Sequence, residues 1–372
     1  MPGKGDGITK RKDGLYMARY TVHTPDGPKR KTIYGRKYKE VEKKLAEARG
    51  DAARGLVFDA DNLKLGEYLD RWLADSVADT VRPTTFERYE QIVRVHIRQA
   101  LGNLKLKNVT PAHVRGLYRE KLEVGLSPRT VQYIHVTLHK ALKQAVADGL
   151  IPRNATEAVK PPQIRKEEIR PLTAEQVKML FEAVRDDRLE SLYILAVHTG
   201  LRQGELLGLK WGDVDLEAGT LQVRGTLTTT KGGPVLRAPK TKGSRRTVKL
   251  SPTALEALRS HLERQLGEID QAGDLWRENG LIFASESGEP LKRHYITTHR
   301  FKPLLKRAGL PQIRFHDLRH TCATLLLTKN VNPKVVSEML GHATIAITLD
   351  TYSHVLPNMQ SEAAQAMEEA LT

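Results

Sequence analysis

Two polar interruptions cut this chain before any single core can be drawn across it. The stretch from Asp51 to Asn62 reads as a linker, and Lys160-Pro161-Pro162 through Arg170-Pro171 reads as a second hinge, polar and rich in proline. Proline lacks an amide donor and turns the preceding residue away from helix, so no regular element is expected to run through the second. At 372 residues the chain is too long for one ordinary core in any case, given roughly 100–200 residues per domain. The division reads as residues 1–60, 63–160 and 172–372. The expected class is multidomain α+β: a small β-sheet-plus-helix module, an all-α unit, and a mixed, mainly α domain with a small antiparallel sheet.

Composition narrows the partner. There are 60 Lys and Arg against 44 Asp and Glu, giving a formal charge of +16 and a pI near 9.7. Such a surplus suggests a polyanion, although charge alone does not separate DNA from RNA or anionic lipid. With 40% apolar residues the chain can bury real cores and is not wholly disordered. No stretch approaches the ~20 apolar residues of a membrane span, and Met1-Pro2-Gly3-Lys4-Gly5-Asp6 has no apolar h-region. The expectation is a cytoplasmic, nucleoid-associated protein with no secretory signal and no membrane partner. The single cysteine, Cys322, leaves no internal disulfide or Cys-based zinc site and fits a reducing cytosol.

The charge is unevenly placed. Residues 1–50 hold 14 Lys/Arg and 6 Asp/Glu, so half of the net surplus lies there. Gly14 to Val22 alternates as a strand does, Thr24-Pro25-Asp26-Gly27 signals a turn, and Lys29 to Tyr34 reads as the returning strand. Glu40 to Ala48 reads as a short helix. This hairpin, with Tyr16, Tyr20 and Tyr34 interleaved, is either a solvated sheet or a small nucleic-acid-binding module. The second reading is favoured, because strands can enter a groove while Arg19, Lys29, Arg30 and Lys31 hold phosphates.

Four helical patterns follow the first linker. Leu65, Tyr68, Leu69, Trp72 and Leu73 make one apolar stripe, and Tyr89, Ile92, Val93, His96 and Ile97 a second. Thr110-Pro111 and Ser127-Pro128 each place an N-cap before a proline at the first helical position. The helices they open are striped by Val114, Leu117, Tyr118 and Leu122, and by Val131, Ile134, Leu138, Leu142 and Ala145. The polar faces carry Arg82, Thr84, Thr85, Arg129 and Lys143, which suit contacts with a DNA backbone or simply a solvated surface.

The chemistry-bearing residues concentrate after the second hinge, where Thr173 and Gln176 have capping-box spacing. Helices are expected near 174–186, 190–198 and 202–209, and strands near 220–224, 234–238 and 246–250. Further helices are expected from Ser251-Pro252, around Tyr295–Ala308, after Asp317, after Asn332-Pro333 and through the tail. Thr199-Gly200-Leu201-Arg202-Gln203-Gly204-Glu205 puts Arg202 at a helix start, where backbone N–H groups suit an anion; Arg202 could equally be a surface residue paired with Glu205. Ala238-Pro239-Lys240-Thr241-Lys242-Gly243-Ser244-Arg245 is a basic β-turn. Phe315-His316-Asp317-Leu318-Arg319-His320 sets His316 and Arg319 on one helix face. Met339-Leu340-Gly341-His342 is followed ten residues later by Tyr352.

In content, order and spacing these segments resemble the tyrosine recombinase (phage integrase) family. That family shows Thr-Gly-Leu-Arg-x-x-Glu, a lysine on a β-turn, His-x-Leu-Arg-His, Leu-Gly-His and a tyrosine about ten residues further on. The match covers roughly 180–356, and the upstream layout is similar to the family's arm-type and core-binding domains. The resemblance implies site-specific cleavage and rejoining of DNA through a 3′-phosphotyrosine, without metal or other cofactor. It implies Arg202 and Arg319 gripping the scissile phosphate, Lys240 as general acid, and His316 as general acid/base and phosphate ligand. His342 would be a further donor and Tyr352 the nucleophile. Lys242 shares the turn and stands second to Lys240; with Arg245 it would contact DNA. Tyr193 and Tyr295 compete with Tyr352 by type, but neither follows a Gly-His pair. His320 and His354 read as structural. The implied partners are core and arm attachment sites, three further copies in a synaptic tetramer, a DNA-bending host factor and an excisionase.

Elementary chemistry supports that division. Attack on a phosphodiester gathers negative charge on the non-bridging oxygens, and two guanidiniums neutralise it bidentately. The departing 5′-oxygen needs a proton, which an ammonium can deliver. A phenol with a reference pKa of about 10 is a poor nucleophile at pH 7, and dense positive charge is expected to help it ionise. Other classes fit less well. A zinc protease would use His316 and His320, but Arg319 would push a cation toward the metal. A non-catalytic DNA-binding regulator explains the charge but not the spaced Arg, Lys, His and Tyr. Type IB topoisomerases share the chemistry, and a Xer-type resolvase would typically lack the first 60 residues. The basic N-terminus therefore favours an integrase of a mobile element.

Overall fold

The computed structural model describes residues 7–24, 27–53, 62–164, 170–230, 232–238, 245–353 and 359–371. Within them the chain divides into two compact units, Met1–Lys166 and Glu167–Thr372. Residues 1–60 and the helices after them fall in the first of these units, with separate buried clusters.

The first unit opens with an antiparallel sheet of β1 (Ile8–Lys10), β2 (Tyr16–Thr24) and β3 (Gly27–Gly35), in that order. Helix α1 (Tyr38–Ala53) lies on it through Val41 and Leu45, which bury Ala18 and pack with Ile8, Tyr16, Tyr20 and Ile33. Because side chains alternate across a strand, the other face presents Arg19 opposite Thr32 and Arg30 opposite Thr21, all exposed. Lys31 stands opposite Tyr20 on the helix side, and Lys29 opposite Val22. The basic residues of the hairpin are thus not one array. Helix α1 also runs on to Ala53, so Asp51–Ala53 are helical rather than linker. The rest of that linker up to residue 61, the Pro25-Asp26 tip and residues 165–169 of the hinge lie outside the described residues.

The helices that follow are α2 (Leu65–Trp72), α3 (Pro83–Ile92), α4 (Arg98–Leu101), α5 (Pro111–Glu123) and α6 (Pro128–Ala147). The hydroxyls of Thr110 and Ser127 cap α5 and α6 by accepting from the amides of His113 and Thr130, at 3.4 and 3.2 Å. Leu65, Leu69, Ile97, Leu117, Ile134, Leu138 and Leu142 are almost wholly buried in one cluster; each contributes roughly 1.5–3 kcal/mol of burial. Single π turns at Leu73–Val77 and Val93–Ile97 each insert a residue into the helical register. A plain 3.6 period does not reveal them.

The second unit begins with α7 (Ala174–Ala183), α8 (Glu190–Thr199) and the single turn α9 (Gln203–Leu206). Strands β4 (Val214–Asp215), β5 (Thr220–Val223), β6 (Thr226–Thr230), β7 (Gly233–Arg237) and β8 (Arg246–Lys249) come next. They form two sheets, β4-β5-β8 and the hairpin β6-β7, where the sequence suggested one. The threonine-rich β6, unforeseen, seats directly on α9. A Cβ on Gly204 would lie 2.7 Å from Thr226 Oγ1 and 2.9 Å from the Leu227 carbonyl, so only glycine admits that approach. The long α10 (Pro252–Ala272), the short α11 (Arg293–Tyr295), a π segment over Ile296–Phe301 and α12 (Lys302–Arg307) enclose the main core with α8. Last come α13 (Asp317–Thr328), α14 (Pro333–Leu340), α15 (Ile345–Tyr352) and α16 (Met359–Leu371).

Candidate active site

Three of the four sequence segments after the second hinge, all but the basic β-turn, meet at one cavity of about 540 Å³, lined by Arg202, Glu205, Thr226, His316, Arg319, His320, His342 and Tyr352 among others. Each is delivered by a local device. Helix α8 ends on Gly200, whose left-handed φ of +60° lets the chain turn without a Cβ penalty. A Cβ there would lie 2.4 Å from Leu340 and 3.2 Å from the Cys322 sulfur, so this turn also fits α8 against α13 and α14. Arg202 then stands extended just before α9. Its backbone amide is not available to an anion, contrary to the sequence reading: it donates to Glu205 Oε2 at 3.0 Å. Its guanidinium donates to Glu205 Oε1 at 2.8 Å and to the Gly341 carbonyl at 3.3 Å. The guanidinium, not the helix end, faces the cavity.

Arg319 rises from α13 and is 3% exposed. Its Nη1 donates to the Gly200 carbonyl at 2.9 Å, while Nη2 is buried without a hydrogen-bond partner. Burial first, then Arg202 beside it, lowers its pKa to about 10, which still leaves it charged at neutral pH. A buried donor without an acceptor is costly, and an anion placed in the cavity would relieve that cost.

Gly341, at φ +69°, ends α14 as Gly200 ends α8 and delivers His342. His342 Nδ1 shares a hydrogen bond of 2.7 Å with the Thr348 hydroxyl, leaving Nε2 as its other polar atom. His316 begins α13, and its ring meets that of His320 edge-on at 5.2 Å. Solvent reaches His316 from the cavity, yet the protein around it strips enough water to lower its pKa to about 4, helped by His320, Arg319 and Arg202. Desolvation and the same arginines take His342 to about 4.

Tyr352 closes the cavity from the end of α15. Its ring, 1% exposed, is buried with Ala323, Leu327, Val336 and Leu340, and its hydroxyl meets His320 Nδ1 at 2.7 Å. The positive surroundings do not make it more acidic, as sequence reasoning expected. Burial raises its pKa to about 12, and Arg319 only partly opposes that. Tyr193 is elsewhere, buried in the main core and stacked on Phe301 at 5.9 Å. Tyr295 is 46% exposed beside a separate hollow of about 990 Å³ that contains none of the box residues.

Lys240 and Lys242 lie outside the described residues. Arg245 is exposed at the edge of β8. The structural weight falls instead on Arg246, which sequence reasoning passed over. Its side chain is 8% exposed and donates to Glu205 Oε2 at 3.0 Å and to the Met339 carbonyl at 2.6 Å, tying α9, β8 and α14 together. Strand alternation could have found it, since Arg245 and Arg246 must point to opposite faces. His320 was set aside as structural. It could have been found from its place one turn after His316 on a face already known to carry the site. In the first unit, Arg129 is exposed at the start of α6, with Arg82 and Thr84 at the start of α3. No group of three or more His, Cys, Asp or Glu suited to a metal occurs among the described residues.

This site and fold match a known class of DNA-rearranging enzymes. Residues 170–359 match the phage integrase family and residues 64–122 the N-terminal SAM-like domain of phage integrases. A tyrosine recombinase XerC-like protein of Caldanaerobacter subterraneus is 33% identical, over 91% of this chain and 92% of its own length. Among solved structures, the Tn1549 transposon integrase in complex with circular intermediate DNA shares the fold, with a TM-score of 0.69 over 82% of this chain and 99% of that one, at 22% identity. A lambda integrase tetramer bound to a Holliday junction does so with a TM-score of 0.59 over 92% and 97%, also at 22% identity.

The chain belongs to the phage integrase family. It is a tyrosine recombinase, a site-specific enzyme that cleaves and rejoins DNA strands.

Proposed function

We propose that this chain is the integrase of a mobile element, inserting and excising it between attachment sites by way of a 3′-phosphotyrosine at Tyr352. The observation that carries the reading is the convergence of one tyrosine hydroxyl with two arginines, one of them holding an unpartnered buried N–H, around a single cavity. Arg202 and Arg319 grip the scissile phosphate and stabilise the charge that builds on its equatorial oxygens. His342 and His316 hydrogen-bond the same oxygens. Lys240, with Lys242 as the alternative, protonates the departing 5′-oxygen. The phosphotyrosine conserves the energy of the broken ester, so the reverse attack by another strand's 5′-hydroxyl needs neither ATP nor metal.

The same reading assigns residues 1–60 to arm-type sites, on which Arg19, Lys29, Arg30 and Lys31 contact phosphates. It assigns 63–160 to the core site, through Arg82, Thr84 and Arg129, and 172–372 to catalysis. Two duplexes require four cleavages, so four copies act together on DNA, assisted by a DNA-bending host factor and an excisionase. The enzyme works in the cytoplasm, on the nucleoid. A supercoiled plasmid carrying two attachment sites tests this: recombinant circles should form in EDTA without ATP. A requirement for a divalent metal or a nucleotide would contradict it.

A further inference from the structure

The Tyr352 hydroxyl is held by a histidine that reads from the sequence as structural. His320 Nδ1 lies 2.7 Å from it, within the reach a proton acceptor needs, with ring centroids 5.7 Å apart. His316 lines the same cavity and meets His320 edge-on at 5.2 Å. We propose that His320 is the general base of strand cleavage, taking the Tyr352 proton on Nδ1 as the phenolic oxygen attacks phosphorus.

The proposal rests on Tyr352 being the nucleophile and gives His320 the base role, with His316 left to hydrogen-bond the phosphate. The Tyr352 O–H bond breaks to His320, giving an imidazolium, while a Tyr352 O–P bond forms and the P–O5′ bond breaks. The 5′-oxygen leaves with a proton from the general acid assigned above. On rejoining, a 5′-hydroxyl attacks, the tyrosine oxygen departs and the imidazolium returns its proton. The surroundings suit the task. Burial holds the His320 pKa below the usual imidazole value, Arg314 and Arg319 add to that, and Asp317 opposes it. His320 is therefore neutral at pH 7 and able to accept. The other titratable or charged groups around it are His316 one turn before it, Arg202 in the same cavity, His342 after α14, and Cys322 on its own helix. The buried phenol, raised to about 12, is almost never a phenolate unaided.

The test is the single-turnover rate of covalent complex formation on a nicked core-site substrate between pH 5 and 9, using the full chain. Wild type should slow as pH falls through the His320 pKa. His320→Asn keeps a polar atom near Nδ1 but cannot take the proton. It should bind DNA normally and cleave about 10²-fold more slowly at pH 7. Its rate should keep rising with pH, without the plateau of wild type. A ring-fluorinated tyrosine in place of Tyr352, being more acidic, should restore His320→Asn far more than it speeds wild type. If His320→Asn binds poorly, His320→Gln with the same rescue serves instead. A variant that cleaves within threefold of wild type, or whose pH profile parallels it, would overturn the proposal and leave His320 as a positioning residue. Tyr352→Phe runs beside it: adducts surviving in that protein would remove Tyr352 itself, a failure distinct from that of His320.

Discussion

At the level of single side chains the site is an excess of cations held by one carboxylate. Glu205 receives hydrogen bonds from Arg202 and Arg246 while 5% exposed, and Arg319 stands close by. Burial works to raise the Glu205 pKa, but Arg246 and Arg202 outweigh it and the net shift is downward. Glu205→Gln should therefore destabilise the second unit at pH 7 by about 3 kcal/mol, the usual cost of breaking a buried ion pair from one side. The lowered pKa makes that stabilisation full above the ordinary carboxylate range. It is lost as pH falls through the folded value, so melting curves of the two proteins should converge in acid. The histidines make the opposite prediction for binding. His316 and His342, both near pH 4 without DNA, must gain proton affinity when a phosphate arrives between them. DNA affinity should accordingly rise as pH drops from 7 to 5. Titrations of His316→Gln and His342→Gln together should show a shallower rise; an unchanged slope would contradict this. That both arginines and both histidines line one cavity was legible from their boxes. Arg246 and His320 were not, because their importance lies in who they touch.

Elements decide whether those side chains meet. Gly200, Gly204 and Gly341 are the closest approaches around the site, and each faces a different element. Gly204→Ala would push Thr226 and Leu227 away from α9 and so displace the β6-β7 hairpin beside the cavity. Cleavage of a core site should fall at least tenfold while binding, spread over many basic residues, stays within threefold. Equal losses in both would instead indicate general unfolding. The helices were legible because stripes and Thr-Pro or Ser-Pro caps act locally. The strand β6, the π turns and the split of one expected sheet into two were not. They depend on partners distant in sequence, and a run of threonines carries no alternation to read.

For the whole molecule, the proposed function gives DNA reading to the first unit and catalysis to the second. Half of the net charge lies in residues 1–50, and Arg19 and Arg30 share the face of the sheet that α1 leaves open. Deleting residues 1–60 should abolish recombination between full attachment sites but spare covalent cleavage of a short core site. Normal recombination by the truncated protein would argue for a simpler two-domain enzyme. The tail α16 exposes Met367 and Leu371, 63% and 79% accessible. Removing residues 358–372 should leave single-site binding intact and impair assembly of tetramers on paired sites, as read by sedimentation. The division between the two units was legible because it falls within the proline-rich second hinge; the grouping of the first 166 residues into one unit was not. The central claim, that one buried tyrosine carries the broken strand, is most directly tested by trapping the protein on a nicked core-site substrate and mapping the DNA-linked peptide. The account predicts a single adduct at Tyr352, absent in Tyr352→Phe although that variant binds DNA normally. An adduct at Tyr193 or Tyr295, or one that survives in Tyr352→Phe, would contradict it.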